Sequence, residues 1–344
     1  MATAAPQPLR GPADPLPYAA RAGDPKNPDS TPVTAPPEPV HSYSAETAPR
    51  GFFAHAWPFG YPRRAWEGRI LLWNFLRRDL LGRFKNSLGG VFWVMVHPIF
   101  QFLVYYVIFG LLFDRGNVPG QPDGFFAVYL FSAIVAFSWI TENASRGMNA
   151  ITSNANLVRK VVFPCELLPL TPVLVAGVVY LVSCLVLLVV GLITGNVVIG
   201  LHFLAWPVLV ALLLVFGAGL AMLLATANLL FRDVQHLWGI FQMAWFFLTP
   251  NVWDVPMIRD KLAKVGYEGA VDLMVLNPAY CFVMAQRQIF GVGDRLVEGG
   301  LVYSDYFPLS LGQNLLGCTV WALLMLFLGY GFFMSRKRKF ADLV

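Results

Sequence analysis

The residues able to carry chemistry are thinly spread in this chain, and their spacing excludes most catalytic arrangements. The five histidines, His41, His55, His97, His202 and His236, are dispersed, so neither a metal cluster nor a catalytic pair is read from them. The four cysteines, Cys165, Cys184, Cys281 and Cys318, show no metal-ligand spacing and no disulfide framework, and read as small apolar fillers. The phosphate-cradling loop G-x-x-x-x-G-K-[ST] is absent, as are H-E-x-x-H and G-x-S-x-G. Any nucleotide must therefore be hydrolysed by another chain, and no catalytic residue, metal site or cofactor is assigned to this one.

Two stretches have spacings that suit docking instead. In "RRDLLGRFKNSLGGVFWVMVHP", residues 77 to 98, Arg77, Arg78, Arg83 and Lys85 with one acid, Asp79, run directly into Phe92, Trp93, Val94 and Met95. Upstream, Trp66, Ile70, Trp73, Leu80 and Phe84 fall on one helical face, with Glu67, Asn74, Arg78 and Lys85 opposite. Arg77 lies in the apolar stripe and must snorkel. A basic amphipathic helix of this kind suits the membrane interface; the alternative is a plain basic anchor for the first span. The second stretch is "SNANLVRKVVFPCELLPLTP", residues 153 to 172. Asn154 and Asn156 can cap, Leu157, Val158, Val161 and Val162 form a short apolar face, and Pro164 limits the helix. Such a helix can dock on a partner or be a simple connecting turn.

The elements that hold these stretches are set by composition. Of 344 residues 57% are hydrophobic and 13% charged, with a mean hydropathy of +0.58, against roughly a quarter charged in soluble domains. Apolar runs at Val91 to Phe113, Phe125 to Ile140, Val173 to Ile193, Phe203 to Phe231, Val234 to Pro250 and Leu315 to Met334 predict six spanning helices. The second and fifth are short and need flanking residues or neighbours. Lipid excludes open sheets, so the expected fold is an all-α integral membrane bundle. Inside the spans the ionisable residues are almost absent: His97 near the start of the first and Glu142 near the end of the second. An ion-driven pump keeps charges at midplane, so energy is expected from outside the bilayer.

Residues 1–56 hold 12 of the 25 prolines and almost no large apolar side chain, and read as a disordered cytoplasmic extension. Residues 57–90 form the interface-helix region, ending at a Gly89-Gly90 turn into the bilayer. Residues 91–334 form the membrane domain and 335–344 a basic tail. Within 251–310, "MVLNPAYCFVMAQRQIFGVG" (274 to 293) is too short and polar to span and suggests a re-entrant hairpin broken at Asn277-Pro278, or a folded external loop. Counting Lys and Arg near the membrane puts both termini in the cytoplasm; Arg287 is counted outside. The formal charge of +5 serves this orientation, not a nucleic-acid partner.

Taken in order, several motifs resemble the ABC-2 type export permeases, and within them those of the polysaccharide group: O-antigen, capsule or teichoic acid. They are Arg78-Asp79, Arg83-Phe84-Lys85, Ser87-Leu88-Gly89, Trp93 and Pro98, then "NANLVRKVVFPCELLP" (154 to 169), "NLLFRDV" (228 to 234), "FFLTPNVW" (246 to 253), "LNP" (276 to 278) and "SRKRKFADLV" (335 to 344). The long proline-rich extension departs from the pattern, as does Cys165, where a basic residue is common. The resemblance implies a permease subunit in the inner membrane, present as two copies with two copies of an ATP-binding subunit that holds ATP and Mg. The cargo would be a lipid-linked polysaccharide. It implies that Asn154, Asn156, Leu157, Val158, Arg159, Lys160 and Phe163 belong to the ATPase-coupling helix, and that Trp66, Trp73, Arg77, Arg78, Asp79, Arg83 and Lys85 belong to the interface helix. External re-entrant helices between the fifth and sixth spans would close a channel. Trp139, Trp238, Trp245, Phe246, Phe247 and Trp253 would offer flat faces to sugar rings while their polar edges hydrogen-bond, unless they form an aromatic belt. Other readings are an ABC-2 exporter of a drug, lipid or other amphiphile, and a membrane-embedded glycosyl or acyl transferase.

Overall fold

Apolar sequence with no water around it must satisfy its backbone internally, and the chain does so as helix. The computed structural model describes residues 60–84, 92–112, 124–160, 164–253, 255–267, 273–297, 300–302 and 307–344. The expectations for residues 1–56, Lys85, Gly89-Gly90 and Phe163 lie outside these.

In chain order the helices are α1 (Gly60–Glu67), α2 (Arg69–Phe84), α3 (Trp93–Tyr105), α4 (Phe125–Met148), α5 (Ala155–Lys160), α6 (Leu170–Ile193), α7 (Trp206–Leu230), α8 (Val234–Leu248), α9 (Val255–Ala263), α10 (Pro278–Ile289), α11 (Leu311–Arg336) and α12 (Phe340–Leu343). After α10, β1 (Arg295–Val297) pairs antiparallel with β2 (Gly300–Val302). Four segments are long and apolar enough to cross a membrane: Phe125–Met148, Cys165–Ile193, Leu201–Leu230 and Leu311–Lys339. The other two expected spans correspond to α3, which continues as π-helix over Tyr106–Leu112, and α8. Fifteen residues of α8 extend only about 22 Å, against a hydrocarbon core of roughly 30 Å.

The expected second span does not end at Ile140. It runs two turns further, and Glu142 pairs with Arg146 at 3.0 Å near its end. From Phe125 through Phe137 every side chain of α4 is buried, so this helix is the centre of the bundle. Its half-buried positions, Ser138, Thr141, Glu142 and Ser145, recur at helical spacing along one face.

Helices α7 and α11 form the most extensive pair, and their crossing is backbone on backbone. A Cβ on Gly329 would fall on the Gly219 carbonyl, and one on Gly219 would fall on the main chain at Met325. Small residues that let backbones approach are the usual basis of helix association in lipid. Ser310 and Gln313 cap α11 reciprocally, each side chain bonding the other residue's backbone N–H. At the other end of the same helix a separate apolar cluster joins Tyr61, Phe75, Val158, Leu168, Phe333 and Phe340.

Candidate functional site

The two docking stretches meet at that second cluster. Helix α2 buries Leu72 and Phe75 against the bundle, while Trp66, Ile70 and Trp73 are exposed. The first part of the expected apolar stripe, Trp66 at the end of α1 and Ile70 and Trp73 in α2, is therefore exposed, Leu80 is half-buried, and Leu72 and Phe75 on another face seat α2. Arg69 stacks over the Trp66 ring at 5.3 Å and Arg78 over Phe75 at 5.1 Å. Arg77 is exposed, Asp79 half-buried, and Arg83 lies in the last turn of α2.

Arg78 Nη2 also donates to Asn154 Oδ1 at 3.4 Å, across 76 residues of sequence. Asn154 Nδ2 donates to the Ala150 carbonyl at 2.8 Å, so this residue braces the 3₁₀ turn Thr152–Asn154 rather than capping α5. Asn156 and Arg159 are exposed, Leu157 is half-buried, Val158 is buried, and Lys160 is the last residue of α5. A polar cavity of about 440 Å³ lies between α2 and this turn, with Arg78, Asp79, Arg146 and Asn154 on its walls. Lys337 and Glu166 form an ion pair at 2.7 Å. Burial pushes the Tyr61 hydroxyl well above its ordinary range, with Glu166 and Tyr330 adding to the effect, so it stays protonated.

The expected aromatic residues divide. Trp238, Trp245, Phe247 and Trp253 line one cavity of about 900 Å³ that is almost wholly apolar and reaches Trp321 and Phe216. Phe246 lines a different, smaller cavity together with Phe247. Trp139 lines neither and is packed in the core against Tyr180, with ring centres 6.3 Å apart. The indole edges are committed within the chain: Trp238 donates to Ser145 Oγ at 2.9 Å, Trp245 to Asn277 Oδ1 at 2.6 Å and Trp253 to the Phe247 carbonyl at 2.9 Å. In this structure the indole N–H groups of Trp238, Trp245 and Trp253 are thus already bonded within the chain, and their ring faces line the large cavity.

Within the stretch 274–293, read from sequence as a re-entrant hairpin or folded external loop, the polar run Gln286-Arg287-Gln288 is a feature the sequence reading did not single out. Helix α10, opened by the Asn277 cap and Pro278, is buried along nearly its whole length and carries Gln286, Arg287 and Gln288 into the bundle. Gln286 accepts from Tyr180 Oη at 2.8 Å and donates to the Ser132 carbonyl at 3.0 Å. Arg287 is fully buried, donates to the carbonyls of Tyr129 at 3.2 Å and Asn251 at 3.4 Å, and lies over the Tyr129 ring. It lies inside a buried helix, not on a solvent-exposed loop. The Gln-Arg-Gln run inside an apolar stretch was the available signal. Among the described residues no three of His, Cys, Asp and Glu gather in a way that would hold a metal ion.

Residues 70–289 match the ABC-2 type transporter family. The chain belongs to that family. As an ABC-2 protein it is a transporter component rather than an enzyme. It is 27% identical, over 280 residues, to the O-antigen export system permease protein RfbA of Myxococcus xanthus, covering 81% of this chain and 97% of the relative. An RfbA of the same description from Klebsiella pneumoniae is 24% identical over 278 residues, covering 80% and 95%. A second Klebsiella pneumoniae RfbA is 25% identical over 224 residues, covering 64% and 80%. The matched region begins in α2 and ends with α10, so the buried polar helix lies inside the family's extent.

Proposed function

We propose that this ABC-2 chain is the permease subunit of an exporter that carries a lipid-linked polysaccharide, of the O-antigen or capsule kind, across the inner membrane. The observation that carries this reading is the near end-to-end similarity to O-antigen export permeases. In this reading two copies of the chain assemble with two copies of an ATP-binding subunit. That subunit binds ATP and Mg; none of the present residues does. Both termini lie in the cytoplasm, α3 and α8 complete six crossings with help from the second copy, and residues 251–310 form the outer re-entrant segment.

Helix α5 is the coupling helix in this scheme and α2 the interface helix. Nucleotide binding draws the ATPase subunits together and shifts the permease between states for which they have different affinity. The joint between Arg78 and Asn154 supports transmission, because it ties α2 to the turn from which α5 springs. Exposed Trp66, Ile70 and Trp73 then rest in the lipid interface beside the basic residues.

Deleting the gene should trap lipid-linked polymer inside the cell, and the tagged permease should bring an ABC ATPase with it on purification. Undiminished surface polymer in the deletion strain would sink the proposal. The apolar 900 Å³ cavity favours one other cargo, a drug, lipid or other amphiphile, which the same strain would reveal as retained amphiphile with normal polymer display.

A further inference from the structure

Polar side chains halfway along a membrane helix need water, protein or ligand around them, because hydrocarbon leaves each unsatisfied group at a cost of several kcal/mol. The half-buried face of α4 carries such groups. Ser138 is ten residues from the helix end at Met148, about 15 Å along the axis. Facing it are Gln101 and Tyr105 of α3 and Gln242 of α8, and together with Thr141 they surround a cavity of about 290 Å³.

The hydrogen bonds already made show what is left over. Thr141 Oγ1 donates back to the carbonyls of Phe137 and Ser138 at 3.1 and 3.2 Å, which leaves its lone pairs for an incoming donor. Gln101 Nε2 donates to Tyr105 Oη at 3.2 Å, and Gln242 Oε1 accepts from Ser145 Oγ at 3.3 Å. Gln101 Oε1, Gln242 Nε2 and the hydroxyl protons of Ser138 and Tyr105 have no partner among the described residues. Free acceptors and free donors thus share one space. Ile134, Phe137, Met243, Phe246 and Phe247 form the apolar part of its wall, with Phe246 and Phe247 edge to face at 5.3 Å. No Asp, Glu, Lys, Arg or His lines it, and Glu142, next to Thr141 in sequence, pairs with Arg146.

An uncharged set of donors and acceptors beside aromatic faces matches a sugar, whose hydroxyls need both kinds of partner and whose C–H face packs on an aromatic ring. The larger tryptophan-lined cavity lacks that chemistry, since its indole N–H groups are committed within the chain. We propose that the space between α3, α4 and α8 is a subsite for a neutral sugar ring, and that the apolar cavity does not contact sugar. This rests on the polysaccharide-export reading and names where in the chain the sugar is held.

The test places p-benzoylphenylalanine at Met243, which lines the polar space, or at Leu276, which lines the apolar cavity, in the full complex in cells making the polymer. Irradiation should give a sugar-staining adduct from position 243 and none from 276. Sugar captured only at 276, or only a crosslink between two copies of the chain at 243, overturns the subsite. Independently, Ser138→Ala combined with Gln242→Leu should lower surface polymer at least tenfold at an unchanged membrane level of the protein; normal display overturns the proposal. If deleting the gene traps polymer while this double variant exports normally, only the subsite fails; if deletion traps none, the export reading fails with it.

Discussion

Lys337 Nζ lies 2.7 Å from Glu166 Oε2, tying the end of the longest helix to the turn that leads into α6. The carboxylate is 2% exposed and the lysine 22%, so the two partners do not stand equally if separated. Removing one member of a buried pair costs on the order of 3 kcal/mol, chiefly through the charge left behind.

Lys337→Met should therefore destabilise the protein more than Glu166→Gln, because it leaves the more deeply buried charge without its nearest counter-ion, whereas a lone Lys337 can reach water. Thermal unfolding midpoints in detergent measure the order. Equal shifts, or a larger one for Glu166→Gln, would contradict the assignment of Glu166 as the desolvated partner.

At the α7 and α11 crossing, Gly329→Ala should cost about 1 to 3 kcal/mol, because the added methyl meets the Gly219 backbone rather than a movable side chain. Gly312→Ala on the same helix meets nothing within 4 Å and should be neutral or gain about 0.5 to 1 kcal/mol from helix propensity. The pair of midpoints separates close packing from any general intolerance of α11 to substitution.

Arg287→Lys should behave as a severe change despite keeping the charge. A lysine cannot bond the Tyr129 and Asn251 carbonyls together while covering the Tyr129 ring, and hydrogen bonds involving a charged group are worth about 1.5 to 3 kcal/mol. A loss of at least 2 kcal/mol is expected; a midpoint within one degree of the parent would show that the guanidinium geometry is irrelevant.

Leu157 and Val158 are neighbours with different duties. Val158 is buried in the cluster with Phe340 and Leu168, so Val158→Asp should reduce the amount of folded protein in the membrane. Leu157 is half-buried, and Leu157→Asp should leave that amount intact while abolishing ATP turnover by the partner. Immunoblots with ATPase assays on the purified complex read both. Normal turnover with Leu157→Asp would remove α5 from the coupling path.

Periodicity made the helical stretches legible, because each depends on residues a few positions apart. It could not decide which apolar face of α2 meets protein: Ile70 and Trp73 share one face and Leu72 and Phe75 another, and only the second pair is buried. Arg287 read as a loop charge because the groups that bury it, Tyr129 and Asn251, lie 158 and 36 residues away. The grouping of Trp238, Trp245, Phe247 and Trp253 followed from their short spacing in α8 and just after it. Their commitment to Ser145 and Asn277 arises only once α4 and the turn before α10 pack beside them.

The burial of α4 also bears on how the molecule is made. Of the four long apolar segments it is the least apolar and the most enclosed, yet it is the first of them to leave the ribosome. With α6, α7 and α10 still unsynthesised, Ser132 and Tyr129 have not met Gln286 and Arg287. The polar contacts that enclose this helix therefore come from residues as many as 158 positions downstream, and they form only after nearly all of the remaining membrane domain has been made.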